Sequence, residues 1–171
     1  MNPEATHQPV LFEAIYHTSG PILELGAGES STRQLHALTD RYIMTIDDNQ
    51  EWITRYDDLI SYRHKLLYLP QKDSAKYYKL MRHDWGVILI DSTNWDMRLA
   101  AIEIFKDGSD LIVLHDANYA RAINIDFDVY FKYWVEYQRE GITEPTTLLA
   151  SNKIDVRKIK VNGAIKLSEN E

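Results

Sequence analysis

The chain has 171 residues, 44% hydrophobic and 26% charged, enough for one well-cored folded domain and too few for two large ones. Its formal net charge of -7 argues against a broad phosphate-binding face, so no nucleic-acid partner is expected, and the lack of cysteine excludes disulfides, thiolate metal sites and a cysteine nucleophile. Residues 1–10 show no leader segment, and the aliphatic runs at 87–90 and 111–114 are too short to span a bilayer, so a cytoplasmic protein without membrane contact is expected.

In chain order, residues 9–17 place apolar side chains at 11, 12, 15 and 16, an amphipathic helix broken by Ser19, Gly20 and Pro21. Residues 22–25 form a first strand that stops at Gly26 and Gly28. Ser30 and Ser31 then cap a helix to about residue 38. A second strand spans 42–46 and ends at Asp47 and Asp48. A helix follows over 50–61, then a third strand over 65–69, closed by Pro70. Residues 75–83 read as a tyrosine-rich helix. The runs at 87–90 and 110–114 are continuous aliphatic strands of the kind covered on both faces, separated by a helix over 97–105. Strand and helix thus alternate five times, the pattern of a doubly wound, mainly parallel α/β sheet.

The last third reads differently. Phe127, Tyr130, Phe131, Trp134 and Val135 recur at helical spacing, and 146–150 is a short strand. Residues 156–161 and 164–167 flank Asn162 and Gly163, a hairpin signal, so a C-terminal antiparallel hairpin is expected to close the sheet.

In such sheets ligands bind beyond the carboxyl ends of the strands. Those ends carry the glycine turn, Asp47 and Asp48, Asp91, and His115 with Asp116. Each also has a plain structural reading. The glycines make a tight turn, Asp47 caps a helix, Asp91 caps a turn, and Asp116 caps a helix or pairs with Arg121. Their coincidence on one rim favours a ligand site. A pyrophosphate fingerprint requires glycine where Ser31 stands. Glu24, placed in the mouth of the site, disfavours a diphosphate and suits a cationic adenosyl ligand such as S-adenosylmethionine. An NAD-linked oxidoreductase is disfavoured on the same grounds.

Residues 24–32, the Asp47–Asp48 strand end with Trp52, and the strands ending at Asp91 and Asp116 together resemble class I S-adenosylmethionine-dependent methyltransferases, over roughly residues 20–120. The subgroup is the one whose glycine loop runs into Ser-Thr. The resemblance implies a single Rossmann-like domain over 1–171, with a cofactor-binding half at 21–91 and an acceptor-side half at 92–171. It implies that Glu24, Gly26, Gly28 and Ser30 meet the amino-acid part of the cofactor. Asp47 holds the ribose and Asp48 lies beside the adenosine. Asp73 reaches the adenine, and Asp91 faces the methyl group. Asp91, His115 and Asp116 are the catalytic candidates, with His115 the general base for a hydroxyl acceptor. Some members of the family bind a divalent metal at these strand ends. Asp91, Asp116 and Asn118 offer oxygen ligands, but Ala117 stands where the family places Asn, so no metal ligand set is assigned.

Trp95, Tyr119, Arg121, Tyr77 and Tyr78 are expected to overhang the acceptor. With no large insertion to cap the site, either the acceptor is a small molecule or a second copy or partner subunit completes the pocket. The same shortage leaves open an alternative, a non-catalytic S-adenosylmethionine-binding partner or sensor domain.

Overall fold

The computed structural model describes residues 5–81 and 83–170. The sequence readings that reach residues 1–4 and 82 fall partly outside that range. One eight-stranded sheet organises the chain, in the order β3-β2-β1-β4-β5-β7-β6-β8. The strands are β1 (Ile22–Leu25), β2 (Ile43–Asp47), β3 (His64–Tyr68), β4 (Val87–Ile90), β5 (Leu111–His115), β6 (Tyr133–Arg139), β7 (Thr147–Ser151) and β8 (Ala164–Glu169). The first five are parallel, β7 runs antiparallel to β5, and β6 is antiparallel to both β7 and β8. Strand order reverses between β1 and β4, which opens a crevice at their carboxyl ends.

The helices are α1 (Gln8–Tyr16), α2 (Thr32–Leu38), α3 (Gln50–Ile53), α4 (Gln71–Leu80), α5 (Trp95–Phe105) and α6 (Ala117–Ala122). They cover the sheet on both faces. On one face Ile88 and Ile90 of β4 meet Tyr78, Ala101, Ile102 and Phe105. On the other, Val87 and Leu89 meet Val10, Leu11 and Ala14 of α1 and Leu35 of α2. This double burial is why β4 and β5 are unbroken aliphatic runs rather than alternating ones.

Three expectations change. The helix read over 50–61 is α3 followed by a 3₁₀ turn, Thr54–Leu59. The helix read over 75–83 begins earlier, at Gln71, because Pro70 opens it and its polar first turn carries no apolar periodicity. The helix expected around residues 127–135 is a 3₁₀ turn, Phe127–Val129, leading into β6. Pairing on both sides makes period two prevail there. Trp134 faces one core, while Val135 and Tyr137 face the other across the strand.

The C-terminal antiparallel strands are present, but Asn162 and Gly163 do not join two paired runs. Residues Val156–Lys158 form a 3₁₀ turn, Gly163 turns the chain at φ 77°, and β8 pairs with β6. The hairpin proper is β6–β7.

Candidate active site

The carboxyl ends of β1, β2, β4 and β5 form one rim. At its centre Gly26 adopts φ 98°, where an L side chain is strained, and a Cβ there would strike the Asp91 carbonyl. The glycine is what lets β1 turn over the end of β4. Asp47, at the end of β2, pins the turn: its carboxylate accepts from Ala27 N–H at 2.8 Å and from Asn49 N–H at 2.7 Å. Burial raises its pKa against the pull of those two bonds. Each oxygen keeps capacity for a further donor. Asn49, not Asp47, caps α3. The indole N–H of Trp52 donates to the Ala27 carbonyl, which closes the loop from the other side.

Two cavities flank this loop. One, of about 360 Å³, is lined by Gly26, Ala27, Asp47, Asp48, Asn49, Trp52, Asp91 and Thr93. The other, of about 370 Å³, shares Ala27, Trp52, Asp91 and Thr93 and extends past Gly28, Glu29 and Ser30 to His7, Arg98, His115 and Asp116. They are two lobes of one cleft along the rim.

The second lobe holds a dense polar cluster. His115 Nδ1 lies 2.8 Å from Asp91 Oδ1, and its Nε2 lies 2.8 Å from Thr6 Oγ1. Arg98 of α5 is buried, with Nη2 3.0 Å from Asp116 Oδ2 and 3.4 Å from Asp91 Oδ1, and it donates through Nη1 to the His115 carbonyl at 2.7 Å. Burial alone would lower the His115 pKa, but the hydrogen bond and charge of Asp91, with Asp116, outweigh it and raise it. Burial would raise the Asp91 pKa, and His115, His7 and Arg98 reverse that and lower it. Asp116 sits in the left-handed region, φ 59° and ψ 37°, at the head of α6, and its side chain serves Arg98 instead of capping the helix. Arg121 pairs with buried Glu136 rather than with Asp116.

The structure redistributes other expected residues. Glu24 is not in the mouth of the cleft. It lies fully buried beneath the loop, on the α2 face of β1, with Thr45 Oγ1 donating to Oε2 at 2.6 Å. Thr45 Oγ1 in turn lies 2.9 Å from His64 Nε2, and His64 Nδ1 lies 3.1 Å from His36 Nδ1. Burial drives the Glu24 pKa up to about 7, despite the hydroxyls of Ser31, Thr45 and Thr32. Ser30 is on the wall of the second lobe, where its carbonyl accepts from Gln8 Nε2 at 2.8 Å. Asp48 lines the first lobe. Asp73 is exposed in the first turn of α4 and lines neither lobe. Tyr78 is a core residue packed on Phe105, and Tyr77 lines a separate apolar groove with Tyr42 and Trp85, so neither tyrosine overhangs the rim. Trp95 stacks against the Arg98 guanidinium at 4.7 Å. Asn118 is committed to Thr146, whose backbone N–H donates to its Oδ1 at 3.1 Å.

The sequence reading missed Thr6, His7, Thr93 and Arg98. Arg98 left a signal. It stands three, four and seven positions before Ala101, Ile102 and Phe105, on the buried stripe of α5, where a cation needs a buried carboxylate. His7 left none, since it immediately precedes the helical pattern that begins near Pro9.

No family model and no curated protein matches the sequence. Solved structures do. Spermidine synthase from Thermotoga maritima superposes with a TM-score of 0.62 at 15% identity over 93% of this chain, which spans 65% of that protein. An rRNA methylase from Streptococcus thermophilus gives 0.56 at 15% identity, covering 87% of this chain and 95% of its own. The N-methyltransferase NodS from Bradyrhizobium japonicum WM9 gives 0.56 at 13% identity, covering 84% and 91%. The chain has the class I methyltransferase fold. The glycine turn after β1 and Asp47 after β2 line the first lobe, His115 and Asp116 line the second, and Asp91 lines both.

Proposed function

We propose that the protein transfers a methyl group from S-adenosylmethionine to a small-molecule acceptor, with the cofactor in the Asp47 lobe and the acceptor in the His115 lobe. One observation carries this reading. Among the described residues, the Asp47 lobe is walled by three carboxylates, Asp47, Asp48 and Asp91, and by no basic side chain. A diphosphate would be repelled there, whereas a ligand with an ammonium and a sulfonium is attracted. These groups take over the discriminating role that the sequence had given to Glu24.

When bound, S-adenosylmethionine supplies an activated methyl group. The chain's own contribution is position and charge. The backbone of residues 26–28 and the carboxylate of Asp47 would hold the cofactor, with Trp52 beside them. Asp91 lines both lobes and so lies at the junction where donor and acceptor meet. His115 has both ring nitrogens engaged, by Thr6 and Asp91, so it offers an acceptor no free nitrogen. Asp116 Oδ1, 3.6 Å from His115 Nδ1, retains acceptor capacity and is the group best arranged to receive a proton from an acceptor hydroxyl. Methyl transfer is an in-line displacement, so this positioning can supply most of the rate.

Calorimetry with S-adenosylmethionine and S-adenosylhomocysteine tests the cofactor assignment; failure of both to bind at millimolar concentration overturns it. A screen of small acceptors for S-adenosylhomocysteine formation tests the activity. Binding without turnover by any acceptor would favour a sensor or partner-subunit role.

A further inference from the structure

The second lobe contains a group that neither cofactor binding nor proton transfer explains. His7 is 1% exposed, and among the described residues neither of its ring nitrogens has a hydrogen-bond partner. The Ser30 backbone exerts a hydrogen-bonding pull on the ring without forming a full hydrogen bond. An imidazole buried without partners is destabilising, so such groups signal something that completes them. The ring stands edge-on to His115, with centroids 4.9 Å apart, and both line the same lobe as Asp91. One ligand atom from each of His7, Asp91 and His115 lies within 4.8 Å of the others.

We infer that His7, Asp91 and His115 form a binding site for a divalent first-row transition-metal ion. Two imidazoles and one carboxylate select zinc, cobalt, iron or copper over magnesium or calcium, which prefer all-oxygen sets. The surroundings fit a cation. Two carboxylates, Asp91 and Asp116, face one guanidinium, Arg98, leaving the cluster net negative before an ion arrives. The outer contacts also fit. Thr6 engages Nε2 of His115, the bond that a ligating histidine needs on its other nitrogen, and the ion takes the place of the proton between Nδ1 and Asp91 Oδ1. This ligand set shares only Asp91 with the Asp91, Asp116 and Asn118 oxygens that the sequence offered: His115 ends β5, and His7 comes from the turn before α1.

Three protein ligands leave coordination positions open toward the lobe, as in catalytic rather than structural sites. An acceptor with an oxygen donor would then be held at the ion. That consequence rests on the methyl-transfer reading, but the ion site does not, and it can be tested without cofactor.

The full chain, stripped with chelator and dialysed, is titrated with Co²⁺, Zn²⁺ and Mg²⁺ by calorimetry, with visible absorption as a second readout for Co²⁺. One equivalent of Co²⁺ or Zn²⁺ should bind, with Mg²⁺ at least about 100-fold weaker. His7→Ala and His7→Gln should each weaken Co²⁺ binding by about 100-fold or more and abolish the rise in Tm that the ion gives. His17→Ala, on an exposed histidine just past the C-terminal end of α1, should leave both unchanged. Should the His7 variants not fold, electron spin-echo modulation of the Cu²⁺-loaded wild-type chain counts the imidazoles directly, and two are expected. The proposal is overturned by no uptake of Co²⁺ or Zn²⁺, by binding that survives loss of His7, by Mg²⁺ binding as tightly, or by fewer than two imidazoles at copper.

Discussion

Glu24→Gln is the substitution whose effect the structure specifies most closely. The carboxyl is fully buried, and its pKa rises from 4.5 to about 7. Between those values the native chain holds a proton that the unfolded chain has released. The group's contribution to stability is therefore complete below pH 4.5 and is lost as pH rises through 7. At about 1.4 kcal/mol per pH unit, the loss amounts to roughly 3 kcal/mol. His64, coupled to Glu24 through Thr45, has the opposite slope. Its pKa is lowered to about 4 by burial, with His36 and Arg63 adding to it, so its contribution grows as pH rises toward 6.5. His7, also lowered to about 4, adds to that counter-slope. A wild-type profile alone would hide these effects, so the informative quantity is the difference between variant and wild type. Urea unfolding at half-unit intervals should give a difference that is flat near pH 4, climbs in favour of the variant from about pH 4.5 to 7, and levels off above. A difference that stays constant across that range would refute the argument that Glu24 is buried in a protonated form.

Other substitutions test the cleft itself. Asp47→Asn places an amide NH₂ against one of the two backbone N–H groups that the carboxylate serves; urea unfolding should show a loss of about 1–3 kcal/mol, and calorimetry weaker S-adenosylhomocysteine binding. Gly26→Ala combines a positive φ with a clash at the Asp91 carbonyl, and should cost at least about 1–3 kcal/mol in thermal unfolding. Arg98→Leu leaves Asp91 and Asp116 without their cation; because those side chains are 21% and 24% exposed, the expected loss is discounted to about 2–3 kcal/mol, with S-adenosylhomocysteine binding affected less than turnover.

The parallel core was legible because each of its strands ends on a marked residue and its aliphatic runs match a sheet buried on both faces. Val87–Ile90 was placed to the residue for that reason. The C-terminal third was not. Phe127, Phe131 and Trp134 carry helical spacing by coincidence, and only pairing of Val135 with Leu149 and Glu169 selects the strand. The rim residues Asp47, Asp91, His115 and Asp116 were found because they terminate strands. Glu24 also belongs to a strand, but its register opposite Thr45 turns it under the loop rather than into the cleft, and sequence alone does not show which way a residue at a strand's end faces.

The N-terminal turn forms one wall of the second lobe. Thr6 reaches His115 across 109 positions, Gln8 ties the turn to the Ser30 carbonyl, and Arg139 of β6 donates to the Ala5 carbonyl. This wall of the second lobe is thus built by a segment before α1, and its position depends on Val10, Leu11 and Ala14 docking on the β4–β5 face. A wall held by contacts among four separate parts of the chain forms only once the fold is complete. It is also fixed in size, since α1 is packed into the core and cannot swing away without exposing it. On the methyl-transfer reading proposed above, the second lobe, about 370 Å³, would set the room for an acceptor.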